Sequence, residues 1–168
     1  SLGALVLGVC LAAHAADVSE YSVLKGKKYS QSEAGTPGDD FAFYWWSASV
    51  RMTAAGSVTA ATATPPGLEA IPLFEQADPK WLQFETIGGL TVPDMNANFP
   101  NGNYDVAMTT AHDGNRTVTL NLTGDSYPNT PTFLDFVSLE TINPSAAFTL
   151  SWSAFTGGTA NDYIQVRV

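Results

Sequence analysis

The residues best suited to bind a ligand lie in one aromatic run, FAFYWWSASVRM, at residues 41–52. Aromatic rings present flat apolar faces on which sugar rings can stack, while neighbouring polar groups fix the sugar hydroxyls. If the run is a strand, Tyr44 and Trp46 share one face, because side chains alternate along a strand. The sequence therefore predicts Tyr44 and Trp46 as a carbohydrate-binding pair. The competing interpretation is that the strand is central and that its aromatic side chains fill the core.

Candidates for catalysis are scarce in this chain. Its two histidines are His14, in an apolar leading segment, and His112, beside a predicted turn where a solvated ring is expected rather than a general base. The sequence contains no Gly-x-Ser-x-Gly motif, no phosphate-binding glycine loop and no zinc-like histidine spacing. We therefore expect no catalytic residue, no cofactor and a protein that is not an enzyme. Carboxylate pairs for glycoside cleavage depend on tertiary structure and stay open.

Calcium is the one metal for which the sequence offers candidate ligands. Oxygen-bearing side chains that calcium prefers stand in predicted loops: Asp39, Asp40, Asp113, Asn115 and Asp125. Their spacing does not match a calcium-binding loop, and such residues commonly form hydrogen-bonded turns. The sequence accordingly predicts no metal site.

The first sixteen residues carry no charged side chain. The stretch is too short to span a bilayer comfortably, and Ala13-His14-Ala15 supplies the small-x-small pattern of a signal peptidase site. We therefore expect residues 1–16 to be the remnant of a cleaved signal peptide. Cleavage would remove Cys10, the only cysteine, so the mature protein would hold no disulfide. The predicted localisation is secreted or at the cell surface, without membrane insertion after cleavage.

Charge composition narrows the possible partners. Charged residues make up 14% of the chain, and seven Lys and Arg face sixteen Asp and Glu, for a net charge of −9. Such a field repels phosphate backbones and anionic lipid, so nucleic acid is not an expected partner. We expect polysaccharide or cell-envelope components instead.

Period-two hydrophobicity dominates the middle of the chain. Strand patterns recur roughly every ten residues, as expected of a β-sandwich. A hairpin is expected at Asp113-Gly114-Asn115, where glycine allows the positive φ of a tight turn. A short helical turn is expected in VPDMNANF, led by Pro93. Residues 17–123 are thus predicted to form an all-β, antiparallel sandwich of immunoglobulin or fibronectin III type.

The segment Phe99-Pro100-Asn101-Gly102-Asn103-Tyr104 resembles the Pro-x-Gly-x-Tyr entry into a late strand of bacterial immunoglobulin-like domains. The resemblance implies that Tyr104 buries its ring while its hydroxyl ties down the preceding turn. This implied role is structural.

A Gly- and Pro-containing linker is expected at residues 124–131, before a partial domain at residues 132–168. This part of the chain holds a strand pattern led by Pro131, a run ending in Trp152 and a last run starting at Tyr163. This order resembles the first strands of a fibronectin type III-like repeat, which implies that both aromatic residues are core residues of a second, partial sandwich. The last strand, Ile164 to Val168, would then pair with strands beyond residue 168. The alternative is that these strands complete the first sandwich.

Two functional hypotheses follow from these patterns. The first is a non-catalytic exported β-sandwich module of a larger cell-surface or secreted protein, acting in spacing, adhesion or display. The second is a carbohydrate-binding accessory module of a secreted hydrolase.

Overall fold

The computed structural model describes residues 2–8, 17–35, 38–87, 89–123, 129–159 and 162–166, with residues 2–8, 38–42 and 163–166 described by their backbone alone. The chain is 46% strand and 8% helix. All pairings between the described strands are antiparallel. The predicted all-β antiparallel sandwich is therefore confirmed as a fold class.

The elements follow one another along the chain as strands with two short helices. They are β1 (Leu2–Gly8), β2 (Val18–Ser30), β3 (Gly38–Met52), β4 (Val58–Thr64), β5 (Ile71–Pro72), β6 (Phe74–Glu75), β7 (Trp81–Glu85), α1 (Val92–Asn98), β8 (Gly102–Thr110), β9 (Asn115–Leu122), α2 (Phe136–Leu139) and β10 (Asp162–Val166).

The strands form two sheets. One has six strands in the order β10-β1-β2-β3-β7-β6, and the other has four in the order β5-β4-β8-β9. The long β2–β3 pair forms the centre of the six-stranded sheet, with Val23 opposite Ala48 and Gly26 opposite Trp45. The β8–β9 hairpin turns where the sequence predicts it, and Gly114 takes a φ of +73°.

The hydrophobic core lies between the two sheets. Its buried side chains alternate along the strands, as on β8, where Tyr104, Val106 and Met108 face inward. At its centre the Trp46 ring stacks on Phe99, with ring centroids 4.5 Å apart. The buried members of this cluster run from Val18 to Leu122.

Helix α1 forms where the sequence predicts a helical turn. Thr91 caps it, because its hydroxyl accepts from the Asp94 amide while the Asp94 side chain accepts from the Thr91 amide. Pro93 lies in the first turn, where its missing N–H costs no helical hydrogen bond. The helix buries Met95 and delivers Phe99 to the core.

The C-terminal segment departs from the prediction. The Pro-led strand pattern at residues 131–142 contains helix α2, and the run ending in Trp152 forms an isolated bridge to Phe133 in place of a strand. Trp152 is 41% exposed, so the expectation that it is a core residue is wrong. Alternating hydrophobicity gives a stable strand only where a second layer covers the apolar face. The side chain of Tyr163 and linker residues 124–128 lie outside the described residues.

The last strand finds a partner in the first sheet. β10 pairs with β1 on one side, from Leu2 opposite Val166 to Val6 opposite Asp162. This pairing agrees with the alternative that these strands join the first sandwich. β10 lies at the edge of the sheet with a described neighbour on one side only, so pairing of its other side with residues beyond 168 stays a prediction. Loss of residues 1–16 would remove β1 and leave β10 without this neighbour; the cleavage itself stays a prediction.

No helix in the described part of the chain is long and apolar enough to cross a membrane.

Candidate functional site

Strand β3 presents its aromatic side chains to two different environments. Trp46 belongs to the inner face together with Ala48 and Val50, and all three are completely buried. The second sheet covers this face, because Tyr104 of β8 also lies within 5.9 Å of the Trp46 ring, centroid to centroid. The carbohydrate-binding hypothesis requires an accessible Trp46, and this expectation is wrong.

Tyr44 shares the inner face with Trp46, as the strand period predicts, but it lies near the end of the sandwich and is half-buried. The Lys27 ammonium lies 5.2 Å from the centre of the Tyr44 ring and 4.5 Å from that of Tyr29. The Tyr44 backbone also pairs with Leu90. Tyr44 and Trp46 are therefore neighbours on one face without forming an exposed pair.

Trp45 projects from the opposite side of the six-stranded sheet and is half-buried. Its indole lies across Gly26 of β2, because a Cβ built on Gly26 would stand only 2.6 Å from two indole ring atoms. Glycine is thus the residue that makes room for the ring on this surface.

Polar side chains continue this surface along β3 and β7. Ser47 pairs with Glu85, and Ser49 pairs with Gln83, so all four project from the same side as Trp45. The Gln83 amide donates to Ser47 Oγ at 2.9 Å and to Glu85 Oε2 at 3.2 Å.

Phe74 of β6 completes the surface. It pairs with Gln83 and is 57% exposed. We use the name outer face for six of the residues on this side of the sheet, of which Ser47 is buried: Trp45, Ser47, Ser49, Phe74, Gln83 and Glu85.

The next row of the same sheet side holds a cation beside an aromatic ring. The Arg51 guanidinium lies 4.5 Å from the centre of the Trp81 ring, and its Nη1 lies 3.6 Å from an Asp78 carboxylate oxygen. Because these contacts occupy Arg51 and one side of Trp81, we place the row at the border of the outer face.

A second polar cluster joins the start of β2 to the β8–β9 hairpin. The Asp17 side chain is 3% exposed, and its carboxylate lies 2.7 Å from Nδ1 of His112. The backbone amides of His112 and Asp113 donate to the same carboxylate at 2.6 and 3.0 Å. In return, the Asp17 amide donates to Asp113 at 3.0 Å.

These contacts shift the titration of both groups. The hydrogen bond from His112 is the main cause that lowers the pKa of the Asp17 carboxyl to about 2. The same hydrogen bond raises the pKa of His112 above its ordinary value. The His112 side chain is 78% exposed, as a solvated histidine should be, but its Nδ1 is engaged by Asp17. The cluster is thus a structural clamp, and sequence reasoning missed it because its partners are 95 residues apart.

Tyr104 acts as its resemblance implies. Its ring is completely buried, and its hydroxyl donates to the Pro100 carbonyl at 2.8 Å. The buried Lys25 reinforces the same turn, since its ammonium donates to Asn101 Oδ1 at 2.9 Å. Both contacts fix the entry into β8, and neither faces a ligand site.

Within the described residues, no group of three His, Cys, Asp or Glu side chains could hold a metal ion. The side chains of Asp39 and Asp40, and all of Asp125, lie outside the description. Comparison of the chain with models of protein families, with curated proteins and with solved structures finds no match.

Proposed function

We propose that this chain is a non-catalytic, exported β-sandwich module of a larger cell-surface or secreted protein, serving in spacing, adhesion or display. The observation that carries the proposal is the extent of the core, whose described members run from Val18 to Leu122. The core thus begins directly after the predicted signal peptidase site. A module whose core starts there keeps these packed side chains when its leader is removed.

The clamp at Asp17 supports the same boundary. Asp17 directly follows the predicted signal segment, residues 1–16, and its carboxylate is held by the β8–β9 hairpin. Its carbonyl accepts from the Ser57 hydroxyl at 2.6 Å. The new N-terminus would therefore be fixed at two loops of the sandwich.

The lysines of β2 would also protect this strand from pairing with other chains if β1 were removed. Removal of β1 turns β2 into an edge strand, which exposes backbone donors and acceptors to other chains. Lysine on an edge strand opposes such pairing. Three of the four lysines in the chain, Lys25, Lys27 and Lys28, lie on β2.

Export can be tested directly. We would place an initiator methionine and two lysines before Ser1, fuse alkaline phosphatase after Val168, and express the fusion in a bacterial host. We expect active phosphatase, because the enzyme matures outside the cytoplasm, and a processed chain that has lost the signal segment.

Two substitutions sharpen the export test. Ala15→Leu should block processing, because the peptidase requires a small residue there, while the matched Ala12→Leu should leave processing intact. An inactive phosphatase on a full-length, unprocessed fusion would refute the proposal.

A further inference from the structure

The outer face carries aromatic rings at two separated points. Trp45 lies across Gly26 of β2 at one end, and the largely exposed Phe74 lies on β6 at the other. Strand rise and strand spacing place these rings roughly 16–20 Å apart. Such a separation suits an extended chain of several sugar units rather than a single sugar ring.

Hydrogen-bonding groups fill the interval between the two rings. Ser49, Gln83 and Glu85 supply hydroxyl, amide and carboxylate groups on this side of the sheet, whereas Ser47 is 1% exposed and its hydroxyl accepts from Gln83. The contacts of Gln83 to Ser47 and Glu85 hold the side chains of the strip in place before any ligand arrives. Sugar hydroxyls both donate and accept, so a mixed strip of this kind matches them.

The charge of the chain favours neutral over anionic polysaccharides. The outer face itself holds the carboxylate of Glu85, with Arg51 at its border, and the whole chain has a net charge of −9. An anionic polymer would meet repulsion from the chain as a whole, whereas a neutral one would not.

We propose that the outer face binds an extended neutral polysaccharide, with Trp45 and Phe74 as stacking residues and Gln83 and Glu85 as hydrogen-bonding residues. The site lies on the side of the sheet opposite Tyr44 and Trp46. The inference rests on the proposed function, because an exported module would meet such polymers outside the cell.

Binding is measured by titration calorimetry of the full chain with cellohexaose, xylohexaose and mannohexaose, with hexagalacturonate as the anionic comparison. We expect at least one neutral hexaose to bind and hexagalacturonate to bind more weakly. Phe74→Ala should weaken the neutral sugar about threefold to tenfold through loss of ring stacking. The matched control is Phe148→Ala, which truncates a phenyl group of similar exposure, 52%, away from the outer face and should leave affinity unchanged.

A second variant tests Trp45 without deleting it. In Gly26→Ala the new methyl group would collide with the indole, so Trp45 must move and affinity should fall several-fold. Circular dichroism and thermal unfolding establish that each variant is folded.

Three results would overturn the inference: no neutral hexaose binds, Phe74→Ala and Gly26→Ala both bind as tightly as the parent, or Phe148→Ala loses as much affinity as Phe74→Ala. Export is read separately by phosphatase activity. A chain that is exported but binds none of the hexaoses refutes the glycan site alone, whereas a retained chain that binds sugar refutes export alone.

Discussion

Two tyrosine hydroxyls in the sandwich are expected to contribute to stability with opposite signs. Tyr104 donates its hydroxyl to the Pro100 carbonyl at 2.8 Å from a completely buried ring. Tyr21 packs against the same core, but its buried hydroxyl has no hydrogen-bond partner among the described residues. Replacing each tyrosine by phenylalanine removes one oxygen and keeps the ring, so the pair isolates the effect of the hydrogen bond.

The magnitudes follow from the energetics of buried hydrogen bonds. Tyr104→Phe should lower the free energy of unfolding by about 1 kcal/mol, the net contribution of one such bond. Tyr21→Phe should raise it by about 1 kcal/mol, because a buried polar group without a partner costs about 1–3 kcal/mol. With a urea m-value of about 2 kcal/mol/M, each change moves the unfolding midpoint by about 0.5 M.

The assay is urea unfolding of the full chain, followed by tryptophan fluorescence and by circular dichroism. Coincidence of the two transitions shows that unfolding is two-state and that midpoints can be compared. Midpoints that shift in the same direction in both variants would refute the reasoning, since the difference between the two sites is whether the hydroxyl has a partner.

Further expectations concern the clamp, the core and the helix cap. Because the pKa of Asp17 is lowered, the stabilisation by its contact with His112 should be lost as pH falls from 3.8 towards about 2. Because the pKa of His112 is raised, the same stabilisation should also be lost as pH rises from 6.5 through that raised pKa. In His112→Gln, the urea unfolding midpoint should no longer decline above pH 6.5, and an unchanged decline would count against the clamp. Trp46→Ala should lower the free energy of unfolding by about 3–5 kcal/mol, because it leaves a large cavity between the sheets. A thermal unfolding midpoint close to that of the parent would contradict the packing of Trp46 in the core. Thr91→Ala should cost about 1 kcal/mol in urea unfolding through loss of the helix cap, whereas Thr91→Ser should retain the cap and most of the stability.

Local signals explain why much of the sandwich was predictable from the sequence. Alternation grouped Tyr44 and Trp46 on one face of β3 correctly, since the period of a strand is a backbone property. The β8–β9 hairpin and helix α1 follow from Gly114 and from the Thr91–Pro93 start, whose effects act within a few residues.

The candidate site was only partly predictable. Alternation along β3 put Tyr44 and Trp46 on one face and Trp45 on the other, but it carried no information about which face the second sheet would cover. That choice was made by Phe99 and Tyr104, which pack on Trp46 from more than 50 residues away. Gln83 and Glu85 of β7 lie on the same side of the sheet as Trp45, and no local signal joined them to β3.

In the C-terminal segment, the sequence predicts a strand that the structure does not form. Its alternating run ending in Trp152 predicts a strand, yet Phe148 and Trp152 stay 52% and 41% exposed, and none of the described elements buries them. Period-two hydrophobicity fixes a strand only when another element buries the apolar face, which a single segment cannot supply.

By itself, the sequence determined the strand periodicity, the hairpin turn and the short helix led by Pro93, because each depends on steric and hydrogen-bonding preferences within a few residues. The role of Tyr104 was implied by the resemblance of its segment to bacterial immunoglobulin-like domains. Tertiary structure alone decided that Trp46 is buried and Trp45 faces outward, that Asp17 meets His112, and that the last strand pairs with the first. Those outcomes join residues far apart in the chain. Their energies depend on which surfaces are brought together and desolvated, a property of the assembled sheets and not of any single stretch of sequence.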